Sequence, residues 1–414
     1  MKIQYPFLYE WTLVILLAGW MIFPNITGLL CGFFFVVVIV GLFLKQLVFR
    51  PHMLLGGMFL FFPFYLLYAF NTPNAEEALF AVEKKMSFVL FPLVFSFLPK
   101  FPWRIIRLEN AFLISLFAIV LICFGTSFVT FLQSNSNPAY LFSSHFSGRF
   151  HHPTYLAMFC ALGVYLLFTR WQQASSFRNR SFFALGMLIL AYTHLHLESL
   201  SGILFLAFLL LFLISMRLYN TKGWRTLLLF FSLGAVSIFL LAFLVPTLQR
   251  NVKDSLTFVS KYVEDPYVYT HTPRGEIRGN DVRLILWTAS FEILCEHPNG
   301  VGVGNLPKAL ESKLLEYGQL NLAKEHLNPH NQYLHTAIET GWFGMCWLIL
   351  LLAGLIGWGI RNRNYLLVVG VSAFAFNGLF ESMMERQSGI VFWLLWSCLL
   401  ICYSTWLKSI QHEA

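Results

Sequence analysis

The stretch His330-Asn-Gln-Tyr-Leu-His-Thr-Ala-Ile-Glu-Thr-Gly341-Trp-Phe-Gly344 begins polar and histidine-led, then runs straight into an apolar segment that continues to Ile360. About 20 predominantly apolar residues cross the ~30 Å hydrocarbon core of a bilayer. The stretch therefore reads as a helix entering a membrane from its surface. It sets a titratable imidazole at the interface, where it can do proton chemistry on a molecule anchored in lipid.

The rest of the chain agrees. Of its 414 residues 57% are hydrophobic and 12% charged, 45 are Phe, and the mean hydropathy is +0.66. These values exclude a soluble globular domain and predict an all-α, polytopic membrane protein. The net charge of +8 reflects Lys and Arg holding cytoplasmic loops and gives no nucleic-acid surface. The seven Cys lie mostly inside apolar runs, with Cys295 alone in a long polar segment, so no disulfide framework is expected. Met21 to Asn25 lacks the small-residue cleavage pattern of a signal peptide, and the first span is expected to stay in the mature protein.

Apolar runs predict about twelve transmembrane helices, near 8–24, 27–44, 53–70, 86–99, 108–132, 153–169, 181–193, 202–216, 226–245, 336–360, 365–380 and 389–407. Every second connection is basic: Lys45 and Arg50, then Lys100, Arg104 and Arg107, then Arg170, Arg178 and Arg180, then Arg217, Lys222 and Arg225, then Arg361 and Arg363, with Lys408 after the last span. The positive-inside rule then predicts that both termini are cytoplasmic. Three regions result: 1–245 with spans one to nine, a long outer loop at 246–335 between the ninth and tenth spans, and 336–414 with the last three spans and a cytoplasmic tail. Of the twelve His, only His52 and His412 fall on the cytoplasmic side. Two readings fit that bias, a site outside or simply longer outer loops.

Within the long loop, Asn280-Asp281 reads as a cap before an amphipathic helix over Val282 to Glu296, with Leu284, Trp287, Phe291, Leu294 and Cys295 at helical spacing. His297-Pro-Asn-Gly-Val-Gly-Val-Gly304 ends it, as a plain turn or a backbone nest for an anion. Pro307 opens a second helix to about Tyr317 carrying Leu310, Leu314 and Leu315. Arg274, Arg278 and Arg283 cluster at the first helix start, against the positive-inside bias. Arg274 and Arg278 read as a solvated cap with Glu276 and Asp281. Arg283, one turn before Trp287, can present its guanidinium fork to a phosphate. Arg149, in Ser147-Gly-Arg-Phe-His-His-Pro-Thr-Tyr-Leu156, fits either interfacial snorkelling or a diphosphate clamp.

His-Glu-x-x-His, paired C-x-x-C and phosphate-cradling glycine motifs are absent, and the first outer loop, Pro24-Asn-Ile-Thr27, has no carboxylate for a divalent cation. His151-His152 and His194-Leu-His196 would bind metal only by converging in space. A site built from Arg and His, with no metal and no cofactor, is the expectation.

His330-Asn331, nine residues, then Gly341 and Gly344 resemble the His-Asn…Gly-x-x-Gly pattern of the O-antigen ligase family, within the superfamily that also holds O-antigen polymerases and protein O-oligosaccharyltransferases. His297-Pro with the glycine turn, Arg283 with Trp287, and the Arg149 to Tyr155 segment support it. The family's Ser-Arg-x-Gly stretch departs here, reading Glu198-Ser-Leu-Ser-Gly202 with Leu200 at the arginine position. The resemblance implies a glycosyltransferase at the periplasmic face of a bacterial inner membrane, moving a glycan from undecaprenyl diphosphate to a lipid A-core hydroxyl. His330 would be the general base, Arg149, Arg283 and Arg278 the diphosphate contacts, and Asn331, Gly341, Gly344 and Trp287 the supporting residues. A polysaccharide polymerase or protein glycosyltransferase would share that donor. A lipid-linked oligosaccharide flippase belongs to another class, and it would need midspan charges and internal repeats that are not evident. His335, five residues on from His330, reads as interfacial packing, Gly341 and Gly344 as close helix approach, and Arg386 as a local partner for Glu381 or Glu385.

Overall fold

The computed structural model describes residues 4–70, 72, 74–223, 225, 256–273, 281–325 and 327–413. The expected span at 226–245 and the arginines Arg274 and Arg278 lie outside them. Chain order gives helices α1 (Tyr5–Ile22), α2 (Thr27–Phe43), strand β1 (Leu47–Phe49), α3 (Met53–Phe70), α4 (Ala75–Lys84), α5 (Ser87–Phe95), strand β2 (Phe97–Pro99), α6 (Ile105–Gln133), α7 (Ser143–Ser147), α8 (Pro153–Gln173), α9 (Phe177–Leu197), α10 (Leu200–Lys222), α11 (Asp281–Glu296), α12 (Leu306–Glu316), α13 (Gln332–Arg361), α14 (Tyr365–Asn377) and α15 (Gln387–Glu413). The protein is an all-α polytopic membrane protein. Seven described helices are long and apolar enough to cross a bilayer, namely α1, α2, α3, α6, α8, α13 and α15. Helices α9, α10 and α14 coincide with three further expected spans.

The expected span at 86–99 takes a different form. Helix α5 has 9 residues, about 14 Å at 1.5 Å per residue and half a bilayer. Pro92 lies inside it and Pro99 ends the run. The chain continues as β2, which pairs antiparallel with β1, Phe97 opposite Phe49 and Pro99 opposite Leu47. A proline-bearing apolar run is thus divided between helix and strand.

Helices α15 and α8 form the centre of the bundle, 78% and 72% of their apolar windows being buried, against 22% for α3. Side chains such as Leu29, Phe43 and Leu350 stay exposed, as lipid-facing positions do in a structure whose backbone polar groups are satisfied within the helices.

Helices α11 and α12 build a second, smaller core outside the bundle, in which Val282, Ile285, Ile293, Leu310 and Leu314 meet Ile338 of α13. The C-terminal end of α11 and both ends of α12 fall where the sequence puts them, while the expected cap at Asn280 lies outside the described residues. The buried face agrees only in part: Leu294, Leu310 and Leu314 are buried as expected. Phe291 and Leu315 are exposed, as is Cys295, while Ile285, Leu286 and Ala289 are fully enclosed. The expected face assumed a helix lying flat on lipid, whereas α11 packs against both α12 and α13, leaving Phe291 at the edge, its ring 6.3 Å from that of Trp342.

The glycine turn after α11 docks on α13. Val301 N–H donates to the Ile338 carbonyl at 2.7 Å and Trp342 N–H to the Pro298 carbonyl at 3.1 Å. Gly341 therefore does not sit at helical spacing against a neighbouring helix. It leaves helical geometry at φ 71°, ψ −175° and divides α13 into a short outer half and a long spanning half. Gly344 is helical and buried against Thr340 and Phe64.

Candidate active site

The outer half of α13 begins at a built corner. Asn331 caps it, its side-chain oxygen accepting from the N–H groups of Tyr333 and Leu334 at 2.9 and 3.1 Å. His330, just before the cap, has φ 46°, a left-handed conformation that costs an L residue about 1–2 kcal/mol. The Asn328 side-chain oxygen takes the His330 N–H at 2.8 Å and the Ser382 hydroxyl at 3.1 Å. Trp287 Nε1–H donates to the Pro329 carbonyl at 2.9 Å, fastening α11 to the same turn.

With its backbone held, the His330 ring lies 3.3 Å from a carboxylate, Nδ1 to Glu381 Oε2, and its side chain keeps 32% exposure against 11% for Glu381. Burial pushes the Glu381 carboxyl up, but the hydrogen bond and charge of His330, with the charges of His152 and Arg283, hold it below the ordinary carboxylate value. Half-buried Arg283 has its own pKa lowered by burial, with Glu381 opposing that shift. His152 is also half-buried; burial lowers its pKa, and it feels Glu381, Arg386, His330 and Arg283. Its Nδ1 has no hydrogen-bond partner among the described residues. Tyr155 OH reaches the Ser382 carbonyl at 3.4 Å. One carboxylate thus stands among several basic side chains, an arrangement suited to a polyanion and to moving a proton at the half-buried imidazole.

Because Glu381 is held below the ordinary value of about 4.3, its stabilising contribution is complete above that pH and lost as pH falls through the lowered value. Glu381→Gln is expected to melt below wild type at neutral pH. The gap should close as pH falls below about 4, read from melting temperatures in detergent; a gap independent of pH would refute the pairing.

A second polar network lies one turn further along α13. His335 Nε2 is 3.1 Å from Glu385 Oε1 and 3.7 Å from Glu339 Oε2, and Tyr65 OH donates to Glu339 at 2.8 Å. His335 is therefore an ion-pairing residue and not mere packing. Nor do Glu381 and Glu385 pair with the exposed Arg386: Glu381 meets His330, while Glu385 meets Lys84, Lys85 and His335. In both cases a partner distant in sequence replaces the adjacent one.

Of the residues singled out in the sequence, His330, Asn331, Trp287 and Arg283 converge on this corner, with Gly341 bracing the half-helix from behind. Arg149 is exposed in the turn before α8 and enters none of the hydrogen bonds above. Leu200 is exposed and brings no charge. His151 is consumed structurally, its ring nitrogens bonded to Ser388 Oγ and the Met21 carbonyl at 2.9 and 2.8 Å. His194 and His196 bond backbone carbonyls. Glu381, Ser382, Asn328 and His152 are the site members that sequence reasoning underweighted. For Glu381 the available signal was a carboxylate in the connection between the last two spans.

Fold and site together define a polytopic helical membrane protein with a histidine–carboxylate pair beside arginine at one end of a broken helix. A family model described as O-antigen ligase matches residues 185–349, from within α9 through the outer core, His330, Gly341 and Gly344 into the spanning half of α13. The chain resembles the O-antigen ligase family over that segment, which is less than half its length, and the match indicates an O-antigen ligase or polymerase type of function. No curated protein matches the chain.

Proposed function

We propose that the protein is an O-antigen ligase: a metal-independent, inverting glycosyltransferase that moves a glycan from undecaprenyl diphosphate to a sugar hydroxyl of lipid A-core at the periplasmic face of a bacterial inner membrane. The observation that carries this reading is the half-buried His330 imidazole hydrogen-bonded through Nδ1 to Glu381, at a corner that also holds Arg283. With Nδ1–H donated to the carboxylate, Nε2 is left as the basic atom. It takes the acceptor hydroxyl proton as the oxygen attacks the anomeric carbon. The bond from that carbon to the diphosphate oxygen breaks, and undecaprenyl diphosphate leaves. Glu381 stabilises the imidazolium that forms, and the arginines balance the charge that grows on the leaving group. Arg283 holds the diphosphate in this scheme, with Arg149 and Arg278 as further contacts.

The test is a gel profile of surface and lipid-linked glycans after deletion of the gene. Full-length polymer stranded on the polyprenyl carrier, with the core left bare, is the expected result. Core bearing single repeat units would identify a polymerase instead. Unchanged lipopolysaccharide would redirect the assignment to protein glycosylation or transport.

A further inference from the structure

Lys85, at the corner between α4 and α5, is the most deeply buried lysine or arginine among the described residues, at 1% exposure. An ammonium is withdrawn from water only where it is paired and hydrogen-bonded. Its Nζ donates to Glu385 Oε1 at 2.8 Å and to the Met384 carbonyl at 2.9 Å. Lys84 Nζ holds the other Glu385 oxygen at 2.9 Å. The Gln332 side-chain oxygen accepts the Met384 N–H, and the Gln332 N–H donates to the Gly378 carbonyl at 2.7 Å. The connection between α14 and α15 is therefore fastened from two sides, to the α4–α5 corner through Lys84 and Lys85 and to the outer half of α13 through Gln332 and His335. Glu381 rides on that connection four residues before Glu385, and its contact with the imidazole is a single long hydrogen bond of 3.3 Å. A displacement of a few tenths of an ångström breaks a bond of that length.

We propose that Lys85 is a positioning residue for transfer: by anchoring Met384 and Glu385 it places the segment that carries Glu381, so that the carboxylate meets His330 Nδ1. The proposal rests on His330 being the base. Lys85 touches neither His330 nor Glu381, so it acts through the segment and not on substrate.

The experiment uses the full-length chain in nanodiscs. The donor is the polyprenyl-linked glycan extracted from a strain deleted for the gene, and the acceptor is bare core from the same strain. Lys85→Met is expected to lower kcat about tenfold, in proportion to the loss of an oriented base, with the donor KM within about twofold of wild type. Lys85→Arg, which keeps the charge, should recover most of the rate. Arg170→Met breaks the ion pair to Glu109 near the other end of α8 and should leave both constants unchanged. A Lys85→Met kcat equal to wild type, or a loss carried entirely by KM, overturns the positioning role. If Lys85→Met is not monodisperse, the Lys85→Met/Glu385→Gln double variant removes both charges. It should regain the fold and still turn over about tenfold slowly, and wild-type turnover in it overturns the role equally. Absence of transfer by the wild-type protein defeats the functional reading and this proposal together, and full activity in His330→Asn removes the base on which this proposal rests. Normal wild-type transfer with an indifferent Lys85→Met defeats this proposal alone.

Discussion

Replacing His330 with alanine will lower glycan transfer by about 10²–10⁴-fold, the usual contribution of a positioned general base, while polyprenyl-linked glycan remains displayed on the outer face. In the proposed reaction the diphosphate is already a good leaving group, so the step that needs the protein most is removal of the acceptor proton as the new bond forms. Loss of the imidazole removes that step and leaves arginine neutralisation and binding in place, so some transfer should survive. The backbone complicates alanine, because His330 sits at φ 46° and a poorly tolerated residue there would disturb the Asn331 cap. His330→Asn answers this, since asparagine enters the left-handed region readily. An equal loss in both variants, with elution and melting unchanged, assigns the effect to chemistry. Loss of outer-face donor display in either variant would instead support a transporter, and wild-type transfer would remove His330 from the mechanism.

Local signals in the sequence were sufficient for the C-terminal end of α11 and for both ends of α12, because a glycine run and a proline each act within a few residues. What they could not reach was pairing across the chain. Glu381 lies 51 residues from its histidine and Lys85 lies 300 from Glu385, and one sequence carries no information on which distant charges meet. Proximity in sequence favoured Arg386, and burial of the whole connection against α4, α5 and α13 chose otherwise. The same limit explains the α11 face: periodicity gave a helix, but which side is covered depends on whether lipid, α12 or α13 lies against it. The span at 86–99 misled for a different reason. Hydropathy cannot tell one apolar helix from a short helix followed by a strand, and only Pro92 and Pro99 hinted at the break.

Gly341→Val is expected to prevent accumulation of folded protein. Two costs combine. A β-branched residue at φ 71° occupies a backbone region that costs on the order of 1–3 kcal/mol. Its Cβ would also lie 2.5 Å from the Pro298 carbonyl oxygen and 2.7 Å from Asn299 Cα, and these are backbone atoms that no side-chain rotation can move aside. The turn cannot withdraw freely, because it is tied by Val301 to Ile338 and by Trp342 to Pro298, and Gly300 approaches the Gly341 amide to 2.6 Å if given a Cβ of its own. Relief would need the outer half of α13 to separate from α11, carrying His330 away from Trp287 and Glu381. Gly357, in the same helix with open space around it, is the comparison: Gly357→Ala should express as wild type or better, since alanine is favoured over glycine in a helix by about 1 kcal/mol. Detergent extraction followed by size-exclusion chromatography reads both. A monodisperse, active Gly341→Val protein would show that the break in α13 is dispensable, and that the half-helix holding His330 is not braced by the glycine turn.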